Sequence, residues 1–423
     1  MHREKKSDIW VRSALLAAAG MLFALLAHAA RGEVVLPKVF ADHMVIQRRM
    51  PVHVWGWAAP HEKVSVKFRG EEGSTTANDL GQWDVYLKPG EAGGPFSLEI
   101  DDTNKVVFND ILVGDLWIAS GQSNMEMPLN GFGPLLPIKN AGKEIAEANH
   151  PSIRFLKIAQ TSSDYPLDDA RLAFSWEACS PETVGSFSAV GYFFARDIQD
   201  AERVPIGVIV SAWGGTPIDS WISLRALTSD PSLMPLFALS ADMMYDRAAQ
   251  LRVIARERKE EDELKKAGGE SPKRPEGRNV LSWQPGALFN GMIAPLTPLP
   301  IKGVIWYQGE SDSDSVRAPL YAKSFATMIT DWRQAWRQPD MPFLYVQISR
   351  FGPAAPSPWS VVREAQRRTL SLAHTAMAVS ADLGNRNNIH PPNKQDIGSR
   401  LALAARAVVY GESTEFSDRL TAT

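Results

Sequence analysis

Beyond Asp110 the sequence alternates short apolar runs of strand length with segments of helical period, and this alternation constrains the fold more than any other feature. Leu112-Val-Gly-Asp-Leu-Trp-Ile118, Val204 to Val210, Ile301 to Trp306, Phe343 to Ile348 and Ala376 to Val379 read as buried strands, being almost continuously apolar. Among the segments between them, Val190, Phe193, Phe194 and Ile198 share one helical face, as do Tyr321, Phe325, Met328 and Trp332. Strands in turn with helices specify an α/β domain on a parallel sheet. From Val34 to Asn109 the pattern has period two instead, as in Val64-Ser-Val-Lys-Phe68 and Trp83-Asp-Val-Tyr-Leu87, with Gly, Pro and Asn-Asp breaks. That predicts a small antiparallel β domain. At 423 residues and 44% apolar content the chain has material for both.

Residues 1–29 carry Arg3, Lys5, Lys6 and Arg12, then an apolar run from Ala14 to Ala27 and the small-x-small site Ala27-His-Ala29. They read as a secretory signal peptide, the run being shorter than the roughly 20 residues of a membrane span. The expected location is therefore periplasmic or secreted, with no membrane contact after cleavage. Cys179 is the sole cysteine, so neither an internal disulfide nor a thiolate metal cluster can form. A formal net charge of -3 gives no basic face and argues against nucleic acid as a partner. Between about residues 247 and 278 Arg, Lys and Glu dominate, which predicts a solvated insertion in the α/β domain.

Ligands of open parallel sheets sit beyond the carboxyl ends of the strands, so those ends hold the candidate chemistry. After the first strand, Ser120-Gly-Gln-Ser-Asn-Met-Glu126 exposes Ser123 on a turn made possible by Gly121. Ser211-Ala-Trp-Gly-Gly-Thr-Pro217 offers glycine amides, and Trp306-Tyr-Gln-Gly-Glu-Ser-Asp312 offers the side-chain amide of Gln308. These are the two donor types of an oxyanion hole. A serine nucleophile needs a base, and of the eight histidines His390 is the one that follows a strand of the sheet and precedes a helix outside the β domain. Trp117, Trp213, Trp221 and Trp306 lie close to these loops in sequence. Flat aromatic faces suit sugar rings, although core packing is the commoner role of a tryptophan.

Taken together, Gly121-Gln-Ser-Asn-Met125, Trp213-Gly-Gly-Thr216, Trp306-Tyr-Gln-Gly-Glu-Ser311, Asp382-Leu-Gly384, Ile389-His-Pro, Asn393-Lys394 and Arg400-Leu-Ala402 resemble the SGNH-hydrolase superfamily. Within it they resemble most the sialate O-acetylesterase family, whose opening segment Phe40-Ala-Asp-His-Met-Val-Ile-Gln47 also resembles. The resemblance implies an SGNH-like parallel sheet flanked by helices, an N-terminal sandwich-like accessory domain at 34–109 and an esterase domain at 110–411. It implies hydrolysis of O-acetyl groups on a sugar or glycan without metal or cofactor. Carried over by position, Ser123 is the nucleophile and His390 the base. The Ser123 amide, Gly214 or Gly215 and Gln308 serve the oxyanion, with Gln122, Asn124 and Glu310 in support.

Two departures stand out. The superfamily places an aspartate just before the histidine, where this chain has Asn387 and Asn388, so the triad acid is Asp382, with Glu310 behind it, or none. Members continue well beyond Gly411, which leaves 412–423 as a short tail. The substrate expected first is 9-O-acetylated sialic acid, then acetyl xylan or another polysaccharide. The reading from another class is a glycan-binding protein impaired in catalysis.

Overall fold

The computed structural model describes residues 33–245, isolated positions between 251 and 266, 281–352 and 357–416. The signal segment, most of the charged insertion and residues 417–423 lie outside them. The strands are β1 (Val45–Gln47), β2 (Val52–Trp57), β3 (Lys63–Phe68), β4 (Glu71–Thr76), β5 (Gln82–Leu87), β6 (Gly93–Asp101), β7 (Lys105–Gly121), β8 (His150–Ile158), β9 (Leu172–Cys179), β10 (Ile206–Ala212), β11 (Gly303–Tyr307), β12 (Phe343–Val346) and β13 (Thr375–Ala378). The chain divides into two compact units, one of residues up to Leu36, Val54–Leu87 and Leu98–Val107, the other of Pro37–His53, Lys88–Ser97 and everything from Phe108.

In the smaller unit β3 pairs antiparallel with β4 and with β6. Arg69 and Gly70, at φ 53° and 78°, form the two-residue hairpin loop between β3 and β4, where two left-handed residues match the twist of the strands. The period-two pattern is realised in β5, where Trp83, Val85 and Leu87 are buried and their neighbours exposed. Gly73 admits this packing, since a Cβ there would lie 2.6 Å from Val85 Cγ1.

The larger unit is an α/β layer structure with strand order β13-β12-β11-β7-β10-β8-β9, parallel throughout except for β9 at the edge. Residues 37–53 and 88–97 belong to it, although the sequence pattern grouped them with the β domain. The reason for the first stretch is visible in the pairing: β1 lies parallel to Leu112–Gly114 of β7, and Gln47 accepts the Leu116 amide at 2.8 Å. The helices used below are α1 (Ser123–Glu126), α2 (Ala189–Glu202), α3 (Arg317–Ala335), α4 (Pro358–Arg368) and α5 (Lys394–Val408). Both predicted faces are fully buried: Val190, Phe193, Phe194 and Ile198 of α2, and Tyr321, Phe325, Met328 and Trp332 of α3. Each such side chain contributes about 1.5–3 kcal/mol relative to exposure. α2 and α5 pack closely enough that a Cβ on Gly398 would meet Phe193 Cβ at 2.5 Å. The tryptophans near the site loops are core: Trp117, Trp221 and Trp306 are inaccessible to solvent, and Trp306 makes edge contacts with Trp221 and Trp332. They present no face to a sugar.

The chain leaves β7 for β8 on one side of it and later passes from β10 to β11 on the other. The carboxyl end of β7 is thus the switch point of the sheet, where a crevice is expected.

Candidate active site

β7 ends against its two neighbours with almost no clearance. Gly121 has φ 134°, and a Cβ on it would lie 2.1 Å from Tyr307 O, so glycine is required both by conformation and by space. The Gln122 amide donates to Tyr307 O at 3.0 Å and the Trp213 amide to Gly121 O at 3.0 Å. The strand then turns into the single helical turn α1, with half-buried Ser123 at its first position. Gln122 braces the turn, its Oε1 accepting the amides of Ser311 at 3.1 Å and Gly309 at 3.4 Å.

His390 lies on the segment between β13 and α5, and its Nε2 is 2.9 Å from Ser123 Oγ. Burial, aided by the charge of Lys394, pushes the imidazole down to about 4, so it is neutral at pH 7 and able to take a proton. The ring stands edge-on to Phe132 at 6.3 Å between centroids. Its backbone is held by asparagines: Asn388 Oδ1 accepts the His390 amide at 2.8 Å, and Asn124 Nδ2 donates to Ile389 O at 2.9 Å.

Among the described residues the imidazole makes no hydrogen bond to a carboxylate. Asp382 is instead gripped by Arg400 through two bonds of 2.6 and 2.7 Å, which hold it below the usual carboxylate range. Glu310 is buried, with Oε1 2.5 Å from Asn124 Nδ2 and, among the described residues, no hydrogen-bond partner for Oε2, and burial raises its carboxyl. The structure thus brings Ser123 and His390 together, sets Glu310 behind Asn124 and leaves Asp382 apart.

The residues expected to serve an oxyanion are divided in the same way. The Ser123 amide opens a helical turn and has no intrahelical acceptor. Gly214 lies against the serine, a Cβ there being 3.2 Å from Ser123 Cβ. Its amide donates to Glu126 Oε2 at 2.6 Å, and Gln160 Nε2 donates to the other oxygen of that carboxylate at 2.7 Å. Gly215, with φ 73°, is exposed beside it. Gln308 is turned inward: its Nε2 donates to Thr216 O at 3.1 Å and to Asp312, and its Oε1 accepts from Tyr321 at 2.8 Å. That amide supports the wall of the site and does not face Ser123.

Several residues at the site escape a sequence reading. Glu126 and Gln160 look like polar loop residues, and nothing local marks their shared contact with Gly214. Lys394 carries a signal: it falls on the same α5 face as Ile397, Gly398, Leu401 and Ala405, and like them it is buried. Its Nζ donates to Asn124 Oδ1, and burial pushes it down to about 7. Arg317 in α3 is buried by the same logic, 3.1 Å from Asp219. Among the described residues no group of His, Cys, Asp and Glu is arranged to hold a metal ion.

A profile of the family described as carbohydrate esterase, sialic acid-specific acetylesterase, matches residues 113–237 and 275–407. The chain is 30% identical to the sialate O-acetylesterase of Mus musculus, over 88% of this chain and 72% of that one. It is 31% identical to the human sialate O-acetylesterase, over 88% and 70%. The crystal structure of a carbohydrate acetylesterase from Xanthomonas citri is similar at TM-score 0.75 and 36% identity, covering 91% of this chain and 77% of that one.

Proposed function

The chain belongs to the sialic acid-specific acetylesterase family of carbohydrate esterases, and on that premise we propose that Ser123 and His390 carry its reaction as nucleophile and base. The protein is a carboxylic ester hydrolase that removes O-acetyl groups from carbohydrate. The observation that supports the assignment is the 2.9 Å contact between Ser123 Oγ and His390 Nε2 at the switch point of the sheet.

In this reading His390 Nε2 takes the proton of Ser123 Oγ as the oxygen attacks the acetyl carbonyl carbon. The oxyanion is received by the amides of Ser123 and Gly214, the latter released by Glu126 when substrate enters, with Gly215 beside them. The imidazolium protonates the departing sugar oxygen and leaves acetyl-Ser123. Water, deprotonated by His390, then attacks the acetyl group and releases acetate. We assign His390 to a dyad seated by backbone contacts, with Asp382 engaged by Arg400 and Glu310 acting through Asn124. Gln122 and Gln308 shape the walls.

The substrate proposed first is 9-O-acetylated sialic acid, a reading supported by the mammalian relatives' name, sialate O-acetylesterase. Acetyl xylan or another acetylated polysaccharide is the second, favoured by the higher identity to the bacterial carbohydrate acetylesterase. The reading as a glycan-binding protein impaired in catalysis, suggested by the lack of an aspartate before His390 and by the short tail, gives way to the match with a family of carbohydrate esterases. Acetate release from each substrate by wild type and Ser123→Ala tests the assignment. The wild type should release acetate and the variant should fall by about 10³-fold or more. Equal rates for the two proteins would overturn it. Among the described residues no helix is long and apolar enough to cross a membrane. We read residues 1–29 as directing export, which fractionation and N-terminal sequencing of the mature chain would check.

A further inference from the structure

Asn124 stands at the centre of a buried row that joins three loops. Its Nδ2 donates to Glu310 Oε1 and to Ile389 O, and its Oδ1 accepts from Lys394 Nζ. Asn124 and Lys394 are inaccessible to solvent, and Glu310 is 9% exposed. The amide dipole is therefore held between an anion and a cation. Turned over, it would set its NH2 against the ammonium and its carbonyl against the carboxylate, so the two charges fix which way it faces. Because the same Nδ2 holds Ile389 O, fixing the amide fixes the peptide next to His390.

Packing does not account for the lysine. As the first residue of α5 it meets the positive end of the helix dipole, and a buried ammonium is costly unless paired. What offsets that cost is Asn124, the charge of Glu310 and the ring of Tyr307, 5.5 Å from Nζ.

We infer that Lys394 is a positioning residue of the hydrolysis, its ammonium setting the polarity of the Asn124 bridge and hence the seat of His390. This rests on the assignment of Ser123 and His390 above. The charged groups on the elements that meet at Ser123 and His390 are Lys394 at the start of α5, Glu310 on the β11 loop, Glu126 of α1 bound to Gly214, and, on the segment after β13, Asp382 paired with Arg400. After burial, the charge of Lys394 opposes protonation of the ring, and below about pH 7 that charge is in place.

The wild-type chain, Ser123→Ala, Lys394→Met and Lys394→Gln are compared on p-nitrophenyl acetate across the acid and neutral range, with unfolding curves for each. Folded Lys394→Met and Lys394→Gln should lose about ten- to a hundredfold in kcat with KM within about threefold. The acid limb of kcat/KM should move to higher pH in both. The glutamine keeps a donor for Asn124, so it carries the reading if the methionine variant does not fold. Wild-type kcat in either folded variant overturns the inference. So does lowered kcat with an unmoved acid limb, which would make the lysine only a support. A wild type whose hydrolysis does not depend on Ser123 would instead refute the underlying assignment.

Discussion

A histidine that stays neutral in acid is a base where an ordinary one is already protonated. Burial and the neighbouring ammonium displace His390 from 6.5 to about 4, so the group remains unprotonated across that interval. The acid limb of wild-type kcat/KM is expected near pH 4, and a midpoint near 6.5 would contradict the environment described. The same displacement enters stability with a definite sign. The unfolded chain binds a proton at this histidine below 6.5 and the folded one resists doing so until about 4, so this contribution is lost as pH falls through that window. Denaturant unfolding at intervals of pH, compared between wild type and His390→Gln, would isolate it. Glu126 adds a second residue-scale point: its carboxylate rests on the Gly214 amide that the mechanism assigns to the oxyanion.

At the scale of elements, the loops after β10 and β11 are tied to α3 by buried charge. Arg317, 2% exposed, pairs with Asp219 and with Asp314 at 3.1 Å each. Asp312 accepts the Ile218 amide, and burial pushes its carboxyl up to about 8. Removing one partner leaves the others uncompensated, so Arg317→Met should cost about 3–5 kcal/mol of stability in urea unfolding. A loss within about 0.5 kcal/mol, the range of surface changes, would show that the cluster does not hold these loops. The same elements show what can be read from sequence. The sheet, the faces of α2 and α3 and the serine turn are written locally, in periodicity and in Gly121. Where a side-chain amide or carboxylate ends up is not. Gln308 is drawn inward by Thr216 and Asp312, Asp382 is captured by Arg400 on a different element, and Glu126 reaches Gly214 across the strand ends. Such choices depend on partners distant in the chain, which no local pattern encodes. Lys394 and Arg317 were within reach, as charged residues on apolar helical faces.

For the molecule as a whole, Cys179 is a natural reporter of unfolding. It is buried at the end of β9, 3.9 Å from Ala148 O, and burial pushes its thiol up to about 12. A buried neutral thiol does not react, so a thiol reagent such as DTNB should label no cysteine in the native protein and one in denaturant. Prompt native labelling would contradict the packing of that edge. The contact between Ser123 and His390 has a different consequence on this scale, one of time. Ser123 and His390, the proposed nucleophile and base, are 267 positions apart, and synthesis runs at about 5–20 residues per second, so they leave the ribosome ~13–53 seconds apart. Throughout that interval Ser123 is without the histidine that contacts it in the folded protein. On the proposed assignment, a chain assembled in this order gains its esterase activity only when the segment between β13 and α5 has joined the carboxyl end of β7.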